Sequence, residues 1–301
     1  MHKEAIQEYL TEKRPLSLQI NDLSALLSGE KRVIYASIKN EEDRIRIMNL
    51  CEVFGFNIFQ LKQTKDLLRK KSFDILIGTD LKRMKMAKHL YLNGKYCEWA
   101  IYLDYPECCV KELSKWDDEG KRESFIKHEW RRSEKDRPIK FYMNNVLNFY
   151  SRLWNDSLRK SHEGFLALNS DYIRSPMSVG MEPVICWHPC SYNCKTSLKK
   201  AENIYQFMVK HIPQIALARK EFLSKPVLFK NDFEWVILDG TTRFTGKKLE
   251  TAYKNLLPVK SFTDKKILGN GPKKPRIVSK NGRILSPERL SKDFILIPFA
   301  L

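Results

Sequence analysis

The residues of this chain with the clearest chemical potential are its seven cysteines, five of which lie in two short stretches. Three recur at intervals of four in VICWHPCSYNCKTSL, residues 184–198, and two are adjacent in YPECCVKEL, residues 105–113. Thiolates are preferred ligands of zinc and of iron–sulfur clusters. The two stretches together therefore predict one metal site.

A proline in each stretch indicates where these cysteines lie in the fold. Pro106 and Pro189 suit the first turn of a helix, because proline lacks the amide hydrogen that would stay unbonded there. Both cysteine pairs are therefore predicted to lie where helices begin, and the helix dipole at that end favours the thiolate. Cys190 and Cys194, four residues apart, are expected to share one helix face, while Cys186 precedes them on an extended segment.

The exact ligand set stays open from the sequence. Three thiolates from the two stretches leave a fourth position for another cysteine, for a histidine or for a substrate. Three fixed thiolates with one open position suit a catalytic cluster, whereas four closed ligands suit structural zinc. We predict an iron–sulfur cluster of the [4Fe–4S] type, with zinc and unligated cysteines as alternatives. The candidate ligands are Cys108, Cys109, Cys186, His188, Cys190 and Cys194.

Positive charge is concentrated near the C-terminal end. The chain has 54 Lys and Arg against 36 Asp and Glu, a net charge of +18 at pH 7. Between Thr241 and Lys292 there are 14 basic residues and three acidic ones, so +11 lies in about one sixth of the chain. Such a localised excess predicts a surface for a polyanion, and a solvated face without a partner is the alternative. The residues expected to bind phosphates are Lys265, Lys266, Lys273, Lys274, Arg276 and Arg283.

Hydrophobic patterning predicts an α+β or α/β fold in three parts. Residues 1–80 form a small α/β unit, in which a helix is expected to start after Asn40 and stop at Gly55. Residues 81–225 form a helical domain with the metal site. Residues 226–301 form a basic, β-rich module with hairpins turning at Asn231-Asp232 and Asn281-Gly282.

Several local features are predicted alongside these parts. Helices are expected over TKDLLRKKS, residues 64–72, and over residues 141–154. Asp239-Gly240 is predicted to be a turn. The pair His128-Glu129 lacks the second histidine of a zinc-protease helix, so both residues are predicted to be at the surface or in local hydrogen bonds.

Four sequence blocks together resemble an uncharacterised family of archaeal and cyanobacterial proteins with Pro-x-Cys-Cys and His-Pro-Cys-Ser-x-x-Cys blocks. They are YPECCVKEL, FYMNNVLNFY, HPCSYNCKTSLKKA and PVLFKNDFEWVILDG, and the resemblance covers roughly residues 100–240. It implies that Cys108, Cys109, His188, Cys190 and Cys194 form one site. It implies no activity.

The combined features predict an iron–sulfur enzyme that modifies RNA, and tRNA in particular, with sulfur transfer as one candidate reaction. One alternative is a nucleic-acid-binding protein stabilised by zinc, and another is an iron–sulfur enzyme acting on a small molecule or peptide. An odd number of cysteines argues against a disulfide framework. No signal-peptide pattern and no apolar run of about 18 to 20 residues is present, so a cytoplasmic protein is expected.

Overall fold

A computed structural model describes most of the chain and confirms a mixed α+β fold. The described residues are 4, 6, 18–38, 40–65, 71–118, 124–134, 137–146, 182–231, 234–245, 248–257, 276–280, 283–284 and 294–301. Within these ranges no helix is both long enough and apolar enough to cross a membrane.

The described elements alternate between helices and short strands before a C-terminal series of strands. The helices are α1 (Ile20–Leu27), α2 (Glu41–Phe54), α3 (Leu81–Leu92), α4 (Tyr96–Tyr102), α5 (Glu107–Asp118), α6 (Phe125–Arg131), α7 (Lys195–His211) and α8 (Pro213–Leu223). The strands are β1 (Val33–Ile38), β2 (Asn57–Lys65), β3 (Lys71–Gly78), β4 (Ile139–Lys140), β5 (Val227–Asn231), β6 (Glu234–Thr245), β7 (Lys248–Leu257), β8 (Arg276–Lys280), β9 (Arg283–Ile284), β10 (Ile295–Ile297) and β11 (Phe299–Ala300).

The chain folds into two compact units, each formed from several separate segments. The first takes the described residues of Met1–Lys115, Ile185–Trp187 and Lys199–Ala216, and the second takes those of Trp116–Val184, His188–Leu198 and Leu217–Leu301. The predicted division at residues 80 and 225 stays a prediction, because compactness does not tell which parts fold independently.

The first unit contains a three-stranded antiparallel sheet in the order β1-β3-β2. Helix α2 connects β1 to β2 and has the predicted ends: the Asn40 side chain accepts a hydrogen bond from the amide of Asp43, and Gly55 is left-handed. Helix α3 buries Met84, Ala87 and Leu90, whose spacing of three puts them on one helix face.

The predicted helix over residues 64–72 is wrong at both of its ends. Thr64 and Lys65 lie in β2, and Lys71 and Ser72 lie in β3, where they pair as Thr64 with Ser72 and Lys65 with Lys71. Leucine, lysine and arginine favour a helix when the segment is isolated, but pairing with a neighbouring strand overrides that preference.

The second unit contains a six-stranded antiparallel sheet in the order β10-β5-β6-β7-β8-β9. The pairings of β5 with β6 and of β8 with β9 confirm both predicted hairpins. The predicted turn at Asp239-Gly240 is wrong, because these residues lie within β6 at a β-bulge. A glycine is needed there, since a Cβ on Gly240 would lie 2.0 Å from the carbonyl oxygen of Ala252.

The predicted helix over residues 141–154 is also wrong where the structure describes it. Strand β4 is followed by a single 3-10 turn, Phe141–Met143. The Asn144 side chain then accepts a hydrogen bond from the amide of Val146 and donates one to the carbonyl oxygen of Leu223. Such bonds from asparagine compete with helix formation. Residues 147–154 lie outside the described part.

Candidate metal centre

The adjacent cysteines lie where a helix begins, as predicted. Helix α5 starts at Glu107, directly after Pro106, so Cys108 and Cys109 occupy its first turn. The amide of Cys109 donates to the carbonyl oxygen of Pro106 at 2.9 Å. The helix start therefore fixes the direction of both thiols.

The second cysteine pair departs from the prediction in one respect. Helix α7 begins at Lys195, so Cys194 directly precedes it and Cys190 lies outside it. The carbonyl oxygen of Cys194 accepts a hydrogen bond from the amide of Leu198 at 2.9 Å. The two cysteines therefore do not share a helix face. The proline at position 189 precedes a turn instead of opening the helix.

The four cysteine side chains of these two segments lie together. The Sγ atoms of Cys108, Cys109, Cys190 and Cys194 are all within 4.8 Å of one another. Cys109 and Cys194 are buried, Cys190 is half-buried and Cys108 is exposed. In a tetrahedral site with metal–sulfur bonds of about 2.3 Å, the sulfurs are about 3.8 Å apart. The four thiols could therefore hold a metal ion.

The two other candidate ligands have different surroundings. The Sγ of Cys186 lies 2.9 Å from Nζ of Lys31. The imidazole of His188 has its Nδ1 2.9 Å from Oε1 of Glu129. The predicted set of six thus separates into four cysteines that lie together and two residues that lie outside this group.

Glu129 is the centre of a buried hydrogen-bonding network in the second unit. It is 0 % exposed, and besides its contact with His188 it accepts a hydrogen bond from Nδ2 of Asn145 at 3.0 Å. The Tyr192 hydroxyl donates to Oδ1 of Asn145 at 3.1 Å. Burial raises the pKa of the Glu129 carboxyl, while the adjacent His188 opposes that shift. The network therefore holds residues on both sides of Cys190.

The sequence prediction for Glu129 is wrong, since this residue is neither at the surface nor limited to local bonds. Its partner His188 is 59 residues away in the sequence. The helical spacing of Ile126, Glu129 and Trp130 could have predicted that Glu129 is buried, because the three residues lie on one face of α6 and all are buried. A glutamate on an apolar helix face needs partners.

The residues that follow Glu129 also bind the segment around Cys190. The Oγ of Ser133 accepts a hydrogen bond from the amide of Tyr192 at 2.8 Å. Nε of Arg132 donates to the carbonyl oxygen of Cys190 at 3.2 Å. Backbone groups next to the cysteine are therefore held by side chains from the end of α6.

A buried lysine has a comparable role in the first unit. Lys31 has a side chain that is 1 % exposed and donates from Nζ to Oδ1 of Asp22 at 2.8 Å. The same ammonium group lies 4.3 Å from the centroid of the Tyr105 ring and 2.9 Å from Sγ of Cys186. Burial alone would lower the pKa of Lys31, because it disfavours the charged form. The nearby Asp22 and, as a smaller contribution, Cys186 raise this pKa above its ordinary value. Lys31 thus contacts the chain just before each cysteine pair.

The turn before α5 is fixed by an aspartate in an unusual backbone conformation. Asp104 has φ of 61°, which few residues other than glycine adopt. Its carboxylate accepts hydrogen bonds from the amide and the guanidinium of Arg32 at 2.7 and 2.6 Å and pairs with Arg83 at 3.0 Å. These bonds offset the backbone strain and position the approach to Cys108.

The residues predicted to bind phosphates are only partly described. Arg276 and Arg283 open strands β8 and β9, which pair with each other. The four predicted lysines, Lys265, Lys266, Lys273 and Lys274, lie outside the described residues. The polyanion surface stays a prediction.

Comparison with known proteins gives no family assignment. The chain matches no protein-family model, no curated protein and no solved structure. The resemblance to the archaeal and cyanobacterial family therefore stays a prediction, and the interpretation of the site rests on its geometry.

Replacing Lys31 by Met should destabilise the protein strongly. The substitution leaves the Asp22 carboxylate buried without its cation. We therefore expect the free energy of unfolding to fall by about 3 to 5 kcal/mol. The matched control is Lys111→Met, which removes an exposed pair with Glu107 and should leave the stability nearly unchanged. Urea unfolding of both variants measures the difference. If the free energy of unfolding fell equally little in both variants, Lys31 would not be important for the stability of the fold.

Proposed function

We propose that the protein is a zinc-binding protein in which Cys108, Cys109, Cys190 and Cys194 surround one tetrahedral ion. The observation that carries this proposal is the approach of all four Sγ atoms to within 4.8 Å of one another. Tetrahedral thiolate sites are typical of zinc, whose structural sites have four protein ligands.

The spacing of the sulfurs favours one ion over a cluster of several. The Sγ atoms of Cys108 and Cys109 are 3.8 Å apart, which equals the edge of about 3.8 Å expected for a tetrahedron with bonds of about 2.3 Å. In a [4Fe–4S] cluster each thiolate binds a different iron, so the four cysteine sulfurs must lie farther apart than they do around a single ion. A single ion fits the observed spacing more closely.

A closed site of four thiolates supports a structural role. The free energy of metal binding would add to the stability of the fold. Neither His188 nor Cys186 is needed as a ligand in this arrangement, because each already has a partner of its own.

An iron–sulfur enzyme is the second candidate, and the unequal exposure of the cysteines favours it. Cys108 is exposed, whereas Cys109 and Cys194 are buried. A cluster held by three of the four thiolates would leave one iron open on an accessible side. An enzyme that modifies RNA by sulfur transfer needs such a position for sulfide or substrate.

Metal analysis distinguishes the two candidates. Anaerobically purified protein should be colourless and contain one zinc ion per chain, and Cys190→Ser and Cys194→Ser should each lower the zinc content severalfold because a thiolate is lost. Cys51→Ser is the matched control, since Cys51 is a cysteine that is buried elsewhere, and it should keep its zinc. Brown protein with absorbance near about 400 nm and with iron and sulfide would favour the cluster instead. Protein without bound metal would contradict both candidates.

We also propose that the basic C-terminal segment binds RNA, most plausibly tRNA. Support comes from the net charge of +11 between Thr241 and Lys292. Strands β8 and β9, which begin with Arg276 and Arg283, give this segment a paired backbone in which Arg283 lies opposite Lys280. Neutralised phosphates release counterions, so such binding weakens steeply with salt.

Replacing Lys265, Lys266, Lys273 and Lys274 together by Glu tests this RNA proposal. Affinity for tRNA at moderate salt should fall about tenfold or more, because four phosphate contacts become repulsive. The control replaces four exposed lysines elsewhere, Lys82, Lys85, Lys199 and Lys210, by Glu and so changes the net charge equally. The proposal would be contradicted if both variants lost the same affinity for tRNA, or if the parent protein did not bind tRNA.

A further inference from the structure

Lys31, Asp22, Tyr105 and Cys186 form a compact polar cluster within the first unit that the metal site does not use. Nζ of Lys31 is 2.9 Å from Sγ of Cys186 and 2.8 Å from Oδ1 of Asp22. The lysine side chain is 1 % exposed, while Cys186 is half-buried. The lysine ammonium group is thus held in contact with the sulfur of a half-buried cysteine.

We propose that Cys186 and Lys31 are a modification site at which peroxide produces a covalent sulfur–nitrogen bridge. Sulfenic acids condense with nearby nitrogen to form sulfenamides. The distance of 2.9 Å between the two atoms is short enough for a bond to form between them. The proposal does not depend on the metal site or on RNA binding.

The first step oxidises the sulfur. The Cys186 thiol and hydrogen peroxide give a sulfenic acid and one water molecule, so sulfur loses two electrons and the peroxide oxygen–oxygen bond breaks. Burial raises the pKa of the Cys186 thiol to about 12. The neutral thiol is the weaker nucleophile, and this step is therefore slow at neutral pH.

The second step needs no further oxidant. Lys31 passes one ammonium proton to the Asp22 carboxylate, and its free amine attacks the sulfur of the sulfenic acid. The sulfur–nitrogen bond forms as the sulfur–oxygen bond breaks, and the leaving hydroxide takes a second proton from nitrogen to become water. Two equivalents of a thiol reductant return the original amine and thiol with formation of one disulfide.

The surroundings of Cys186 favour the lysine as its reaction partner. Its described neighbours include Lys31, Tyr105 and Asp22. Of these three groups, only the lysine amine can displace hydroxide from sulfur to give a sulfenamide. Tyr105 and Asp22 border the sulfur without competing for that reaction.

Peptide mass spectrometry of the wild-type, metal-loaded protein tests this proposal directly. After prolonged treatment with excess hydrogen peroxide, a peptide joining residue 31 to residue 186 should appear, with a mass two hydrogens below the sum of its parts. Trypsin should no longer cleave after Lys31, and reduction with dithiothreitol should restore both cleavage and the separate peptides.

Two controls separate the bridge from general oxidation. Cys186→Ala should give no joined peptide, and the exposed Cys97 should be oxidised without acquiring a lysine partner. The proposal is overturned if Cys186 is recovered as a free sulfenic or sulfinic acid, as a disulfide with another cysteine, or unmodified while Cys97 is oxidised. A bridge that retains an oxygen atom would overturn the condensation step.

Discussion

The close approach of four cysteine sulfurs is the constraint on which the proposed metal site depends. Four thiolates within 4.8 Å of one another repel strongly unless a cation lies among them. A divalent metal ion removes most of that repulsion and also replaces the hydrogen bonds that buried thiolates lose. The four cysteines could therefore hold a metal ion.

Buried polar networks contact the chain just before each of the two cysteine pairs. In the first unit, Lys31 contacts Tyr105, three residues before Cys108, and also Cys186. In the second unit, Glu129 binds His188, two residues before Cys190. Each network consists of charged or polar groups that are costly to bury unless they are bonded to one another. Each therefore stabilises one particular path of the chain into a cysteine pair.

The sequence predicted the features that depend on local chemistry. Pro106 marked the start of α5, Asn40 and Gly55 marked the ends of α2, and both hairpins were predicted from short turn motifs. The grouping of cysteines from two distant stretches followed from the ligand chemistry of thiolates. These properties belong to a few neighbouring residues, so they can be inferred without the fold.

The sequence did not predict the features that depend on distant partners. Glu129 was assigned to the surface because its partner His188 is 59 residues away. Lys31 gave no signal at all, since a single lysine before a strand is ordinary. Residues 64 and 65 were assigned to a helix because the strand that pairs with them is not visible in local preference. Tertiary interactions decide all three cases.

X-ray absorption spectroscopy at the zinc edge tests the central claim most directly. We expect four sulfur neighbours at about 2.3 Å and no nitrogen or oxygen neighbour in the first coordination shell. A shell that contains nitrogen would show that His188 replaces one of the four cysteines. That result would contradict a site formed by Cys108, Cys109, Cys190 and Cys194 alone.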